Sequence, residues 1–327
     1  MLIYEEALLQ NTFGKREVFN ARRLWLTGDT EGLAAAQAMN ALFRFECEIF
    51  MGCAVMPALR MAYFASPGDL GVGEPDSPWI VAASETGADV CLCRALEKAT
   101  ELGAFTVLVT CNPHSPAAKA VKRVLAVTPE EEGGAILALC GGLAAIACRI
   151  ADAKRCTEPG AFGRWQAAWT EYRAQVRQAL CRQEAGLRAL AGCFANIRAL
   201  ETIGDDACGG AARYAAIRLG GKRRLPSAVC DSEDWCHIGF FLRDPQTVGA
   251  LFIVPSHAPS ALRSRESITM AQRIGRTVGI ITDGEKTDGD TAGLPQANML
   301  CLPSPPQAMS WLFVPFAMNA IHILENL

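Results

Sequence analysis

The sequence predicts an α/β protein built as two doubly wound units, each three layers thick (αβα) around a parallel sheet. Three observations carry that prediction. The chain has 327 residues, too many for one ordinary core and suited to two domains of about 150 residues each. Half of its residues are apolar and 20% are charged, the balance of a globular protein. Short apolar runs alternate with helical patterns in both halves, as strands joined by crossover helices do.

In the first half, 1–20 read as a helix on the outside of the unit. Residues 23–27 read as a strand, 28–32 as a turn and 33–45 as an alanine-rich helix. A second strand is expected within 54–64, with Pro57 blurring its limits. Next come the apolar strand Pro78-Trp79-Ile80-Val81-Ala82-Ala83 and the polar turn Ser84-Glu85-Thr86-Gly87-Ala88-Asp89. A helix through Leu96, Ala99 and Leu102 follows, stopped by Gly103, and then a buried strand over 105–110. A helix over 116–123 and a short strand over 124–127 complete the sheet. Glu130, Glu131 and Glu132 precede an apolar helix over 133–148, where negative charge suits the helix dipole. That run is short of the ~20 residues a spanning helix needs, so it reads as a buried helix against a sheet.

Residues 149–195 change to a long polar amphipathic pattern broken near Pro159-Gly160, read as a connector. The second half then repeats the first in outline. Strands are expected over 197–203, 248–254, 277–282 and 299–302, and helices over 211–219, 261–274 and 308–324. The turn over 204–210 is rich in glycine. The division that follows is a first unit over 1–150, a helical connector over 151–195 and a second unit over 196–327.

Several function classes are disfavoured. A net charge of −3 gives no broad electrostatic reason to bind nucleic acid or an anionic membrane. Neither glycine turn, 28–32 or 204–210, forms GxGxxG with an acid about 20 residues on, so no nucleotide cofactor is expected. Fourteen cysteines suggest disulfides until their setting is read. Most lie in apolar helical or strand patterns, as Cys140, Cys148, Cys181 and Cys193 do. Residues 1–10 carry two glutamates and no long apolar core, so buried free thiols in a reducing cytoplasm are the expectation. No metal is expected, because Cys91-Leu92-Cys93 points its thiols to different sides of a helix and no second CxxC-type pair exists.

The turn 84–89 is the most informative stretch. It sits where free backbone N–H groups and the helix dipole favour an anion, and the hydroxyls of Ser84 and Thr86 offer further donors. Helix capping alone also explains those two residues.

Five runs together resemble a known family: Leu26-Thr27-Gly28-Asp29-Thr30, the Ser84 to Asp89 turn, Asn112-Pro113-His114-Ser115-Pro116, 130–134, and Asp231-Ser232-Glu233-Asp234-Trp235-Cys236-His237. Their order is similar to that of the double-domain members of the sugar isomerase (SIS) family, over nearly the whole chain. These include the isomerase half of glucosamine-6-phosphate synthase and the fructosamine-type deglycases. The resemblance implies Rossmann-like or flavodoxin-like subdomains, a phosphorylated sugar derivative as ligand, and a homodimer with sites near the subunit boundary. It assigns Gly28, Thr30, Ser84, Glu85, Thr86 and Gly87 to ligand binding. His237 is the motif histidine that assists ring opening, and Glu233 a substitute base.

The chain also departs from that family's pattern. Relatives hold phosphate with Ser-x-Ser-Gly-x-Thr, whereas this turn begins Ala82-Ala83-Ser84 and places Glu85 beside the anion position, where a carboxylate repels phosphate. The glutamate that moves a proton between sugar carbons is expected near Gly221, where there is no carboxylate. The last lysine is Lys286, so the C-terminal lysine of the synthases is absent. Two hypotheses follow. One is an aldose–ketose isomerase or deglycase acting on a sugar phosphate. The other is a non-catalytic, carbohydrate-derivative-binding sensor with a degenerate active site. His257 reads as strand-end capping and His322 as packing.

Overall fold

A computed structural model describes residues 13–20, 22–47, 52–73, 77–129, 134–158, 160–284 and 298–327. Most of the helix expected over 1–20 lies outside them. The chain divides into two compact units, Met1–Ala167 and Ala168–Leu327.

The first unit runs α1 (Lys15–Asn20), β1 (Arg23–Gly28), α2 (Thr30–Cys47), β2 (Gly52–Val55), α3 (Ala58–Tyr63), α4 (Pro67–Leu70), β3 (Trp79–Ser84) and α5 (Val90–Glu101). It continues with β4 (Phe105–Thr110), α6 (Pro116–Lys119), β5 (Arg123–Ala126) and α7 (Gly134–Ala153). The strands lie in the order β2-β1-β3-β4-β5, and all four pairings are parallel. β3 is buried along its whole length, as a central strand covered on both faces must be. On one face Ile80 and Ala82 pack with Leu92, Leu96 and Ala99 of α5 and with Met61 of α3. On the other, α2 packs against α7.

α7 extends to Ala153 and is buried over nearly all its length. It is long and apolar enough to cross a membrane, yet 89% of its apolar window is buried inside the protein, so this stretch serves as a core helix. The second strand is earlier and shorter than expected. It ends at Val55, and Pro57 caps the helix α3 in place of blurring a strand, which fits proline's tolerance at helix starts.

The second unit contains α8 (Ala161–Arg182) from Ala168 onward, α9 (Glu184–Cys193), β6 (Ala199–Ile203) and α10 (Cys208–Ala215). α10 widens into a π-helical turn, Ala216–Gly220, and ends as α11 (Gly221–Arg223). Then follow β7 (Ser227–Cys230), α12 (Ser232–His237), β8 (Val248–Ile253), α13 (Ala261–Arg273), β9 (Thr277–Asp283), β10 (Met299–Leu302) and α14 (Phe313–Glu325). The strand order is β10-β9-β8-β6-β7, again parallel throughout. β7 has no counterpart in the sequence reading, because it is an edge strand with three of its four residues exposed and therefore carries no apolar run. The terminal helix begins later than expected: 307–312 form a 3-10 segment kinked at Met309.

Both sheets share one topology, with the crossover reversing between β1 and β3 in the first and between β6 and β8 in the second. In doubly wound sheets ligands bind outside the carboxyl ends of the strands at such a reversal. That places attention on 28–33 with 84–92, and on 204–208 with 254–260.

Candidate functional site

In the first unit, β1 feeds directly into α2 with almost no loop. Asp29 caps the helix: its Oδ1 accepts from the Gly32 N–H at 2.9 Å, and its carbonyl accepts from the Leu33 N–H at 2.6 Å. So tight a turn brings backbone against backbone. A Cβ on Gly32 would collide with the Ala83 carbonyl of β3, and one on Gly28 would lie 2.5 Å from Leu33 N. Residues of any other type hold the helix off the strand.

β3 ends at Ser84, which is fully buried. Its hydroxyl donates to Asp29 Oδ2 in a short hydrogen bond and accepts from the Gly87 N–H at 2.8 Å. Glu85 and Thr86 are exposed. The Glu85 carbonyl accepts from Thr110 Oγ1 and from the Cys111 N–H, each at 3.2 Å, which pins the turn to β4. Gly87 has φ +61°, and a side chain there would run into Ser115. Thr86 Oγ1 accepts from the Ala88 N–H at 3.3 Å. Asp89 caps α5, accepting from the Leu92 N–H at 2.7 Å. Thr30 is the exposed first residue of α2.

Burial pushes the Asp29 carboxyl above its ordinary value; the bonds from Ser84 and Gly32 pull the other way, and the Asp89 and Glu31 charges add to the rise. A group held higher in the folded than in the unfolded state binds its proton more readily when folded. Its contribution to stability therefore falls as pH rises from 3.8 through the raised value. Ser84→Ala should cost about 1–3 kcal/mol, since it strips the partners from a buried carboxylate oxygen and a buried amide. The loss should be larger at pH 7 than at pH 4, because a carboxyl held above its ordinary value carries less charge at the lower pH. Urea unfolding at the two pH values measures this, and an equal loss at both means that Ser84 is not bonded to the carboxylate.

The second unit repeats the strand–Gly–Asp device at Gly204-Asp205. Asp205 accepts from the Ser232 N–H (2.7 Å), Ser232 Oγ (2.9 Å) and Ser264 Oγ (3.0 Å). Burial pushes this carboxyl up, but bonds from Ser260, Ser232 and Ser264 outweigh it and leave it below the usual range. Asp29 and Asp205 thus hold corresponding places in the two units. The paired Gly-Asp after each first strand was the available signal, and the sequence reading gave neither aspartate a role.

Glu233 and His237 lie one turn apart on α12, with His237 Nε2 2.9 Å from Glu233 Oε1. The second carboxylate oxygen accepts from Arg263 Nε at 2.6 Å. Arg263 first, then His237, hold the Glu233 carboxyl below its usual range. His237 and Glu233 are both well exposed, at 69% and 60% of their side chains. Beneath them Trp235 is fully buried, and its indole N–H donates to Glu201 Oε2 at 2.9 Å. The eight residues singled out from sequence therefore form two groups. Gly28, Thr30, Ser84, Glu85, Thr86 and Gly87 share two adjacent turns of the first unit; Glu233 and His237 are bonded to each other in the second.

No protein-family profile matches the chain, and no curated protein sequence matches it. Solved structures do. The C-terminal domain of glucosamine-fructose-6-phosphate aminotransferase from Francisella tularensis superposes with a TM-score of 0.76 at 13% identity, over 95% of this chain and 87% of that one. Tagatose-6-phosphate ketose/aldose isomerase from Escherichia coli gives 0.69 at 13% identity, over 98% and 86%. Glucosamine-6-phosphate deaminase from Thermotoga maritima gives 0.64 at 13% identity, over 97% and 92%. At these identities the likeness speaks to the fold, which is that of the double-domain SIS proteins, as the sequence resemblance implied.

Proposed function

We propose that this chain is a carbohydrate-derivative-binding protein that uses the double SIS scaffold without its isomerase chemistry. One observation carries the reading. At Gly221, where relatives are expected to supply the proton-moving glutamate, the helix is open, with no other part of the described residues within 4 Å of an added Cβ. The surrounding run, Arg218-Leu219-Gly220-Gly221-Lys222-Arg223-Arg224, contains no acid. Glu325 approaches it from α14, but Arg218 Nε holds that carboxylate at 2.6 Å. A positioned base contributes about 10²–10⁴-fold to proton transfer. Glu233 makes a poor replacement, because its bonds to Arg263 and His237 favour the charged form and weaken it as a base. Binding rests on the two helix N-termini that meet at the β1–β3 reversal, the place where doubly wound sheets hold ligands. In this reading the protein is cytoplasmic and homodimeric, as the resemblance implies.

One observation favours the second reading, an isomerase or deglycase: the 2.9 Å Glu233–His237 contact is a pair through which a proton can pass. The two readings separate by nuclear magnetic resonance in D₂O. With fructose 6-phosphate, glucose 6-phosphate and fructosyl-glycine, the expected result is no deuterium at C1 or C2 above the uncatalysed background. Incorporation that Glu233→Gln abolishes overturns the non-catalytic reading. A thermal-shift panel of neutral, amino and phosphorylated sugars tests binding itself. A ligand at about 100 times its Kd stabilises the fold it binds by roughly 2.7 kcal/mol, and silence across the panel overturns binding.

A further inference from the structure

We propose that Asp205 is the positioning residue of the Glu233–His237 pair: its carboxylate clasps α12 to α13 and so sets Arg263 against Glu233. The inference stands on contacts within the second unit and is independent of what the first unit binds.

Glu233 and Arg263 lie on different helices, and both side chains reach solvent, at 60% and 34%. An exposed ion pair gains too little to hold two long side chains in one geometry, so the helices that carry them must be fixed from beneath. Ser232 directly precedes Glu233 and Ser264 directly follows Arg263, and both serines are buried. Asp205 Oδ2 accepts from both hydroxyls, at 2.9 and 3.0 Å, while Oδ1 accepts from the Ser232 N–H at 2.7 Å. One oxygen atom thus fixes the separation of the two backbone positions beside the ion pair. Ser260, at the start of α13, adds a further bond to the same carboxylate. The fully buried Ser267 of α13 places its hydroxyl 3.1 Å from the Ser232 carbonyl and 3.2 Å from Cys236 Sγ, a second link between the same helices.

An aspartate suits this task, because a carboxylate accepts several charge-assisted bonds at once and has no proton of its own to place. From the turn after β6 it reaches both helices. Held by the clasp, Glu233 gives one oxygen to Arg263 at 2.6 Å and shares the other with His237 at 2.9 Å, and it stays a charged, weak base. Without the clasp that carboxylate is left to His237 alone. Asp205 therefore governs the proton chemistry of the pair from beneath.

Carbon-13 nuclear magnetic resonance titration of the Glu233 carboxyl in the full chain tests the proposal. Arg263 and His237 are the groups bonded to this carboxyl. The acids around it are Asp231 and Asp234 on α12 and Glu266 on α13, which accepts from Arg263 at 3.1 Å. Arg263→Met should raise the titration midpoint toward the ordinary carboxylate range. Asp205→Ala should raise it at least half as much, and in the Arg263→Met background should add nothing. The sign is decisive, since removing a negative charge that acted directly through space would lower the midpoint. Where Asp205→Ala fails to fold, Ser264→Ala removes one arm of the clasp and should raise the midpoint by a smaller amount. An unchanged or lowered midpoint in the folded variant, or a rise that persists in full without Arg263, overturns the proposal.

Discussion

Gly32→Ala is expected to destabilise the first unit by about 4 kcal/mol, at the upper end of what overpacking one methyl group costs. The added Cβ would fall on the Ala83 carbonyl oxygen and lie 2.5 Å from Ala83 C, both backbone atoms of the central strand β3. A flexible side chain yields to such a clash, but a strand hydrogen-bonded on both edges does not. Relief therefore requires α2 to move away from the sheet. That movement would break the Asp29 cap at Gly32 and separate Asp29 from Ser84, dismantling the candidate site together with the packing. Gly221→Ala supplies the contrast. That position is helical, at φ −61°, with open space around it, so alanine should stabilise by about 0.5–1 kcal/mol through helix propensity. Urea unfolding followed by circular dichroism measures both. A Gly32→Ala loss below 1 kcal/mol would mean that helix and strand are not in backbone contact.

The contrast also marks how far the sequence could be read. Strands β3, β4, β8 and β9 were legible because each is a buried apolar run, and α5 because its cap and stop, Asp89 and Gly103, bracket an amphipathic stretch. β2 and β7 lie at or beside sheet edges and bury too little to leave a pattern, so one was misplaced and the other passed over. At the site the turn 84–89 was legible as a helix N-terminus with hydroxyls. The direction in which those hydroxyls donate was not, since it depends on Asp29, 55 residues away along the chain and across the sheet. Local sequence announces a donor; only the fold decides who receives the proton. Likewise Glu233 read as a spare base from its place in a motif, and the arginine that makes it a weak one lies 30 residues on, in α13.

Glu201→Gln should cost the second unit about 3–5 kcal/mol, the penalty for leaving one member of a buried ion pair uncompensated. Glu201 sits on β6 and faces Arg276, 3.4 Å away, with the arginine side chain wholly inaccessible and the glutamate side chain at 8%. Arg276 Nη2 also donates to the Gly239 carbonyl at 2.6 Å, while its Nε and Nη1 have no partner among the described residues. Burial already pushes this guanidinium below its usual range and the Glu201 charge opposes that fall, so the amide variant removes the charge that offsets burial. The same carboxylate receives the Trp235 indole N–H, and the two contacts tie α12 and the segment after it to the sheet. Glu233 and His237 ride on that helix. If the tie acts as argued, Glu201→Gln loosens the helix as well as the core, and the Trp235 near-ultraviolet signal should weaken before the far-ultraviolet helix signal is lost. Glu201→Gln combined with Arg276→Met removes the stranded charge and should recover more than half of the loss, a non-additivity that only a direct pair produces. Losses that simply add would place Arg276 outside the reach of Glu201 and leave the Trp235 indole as the group that its carboxylate holds.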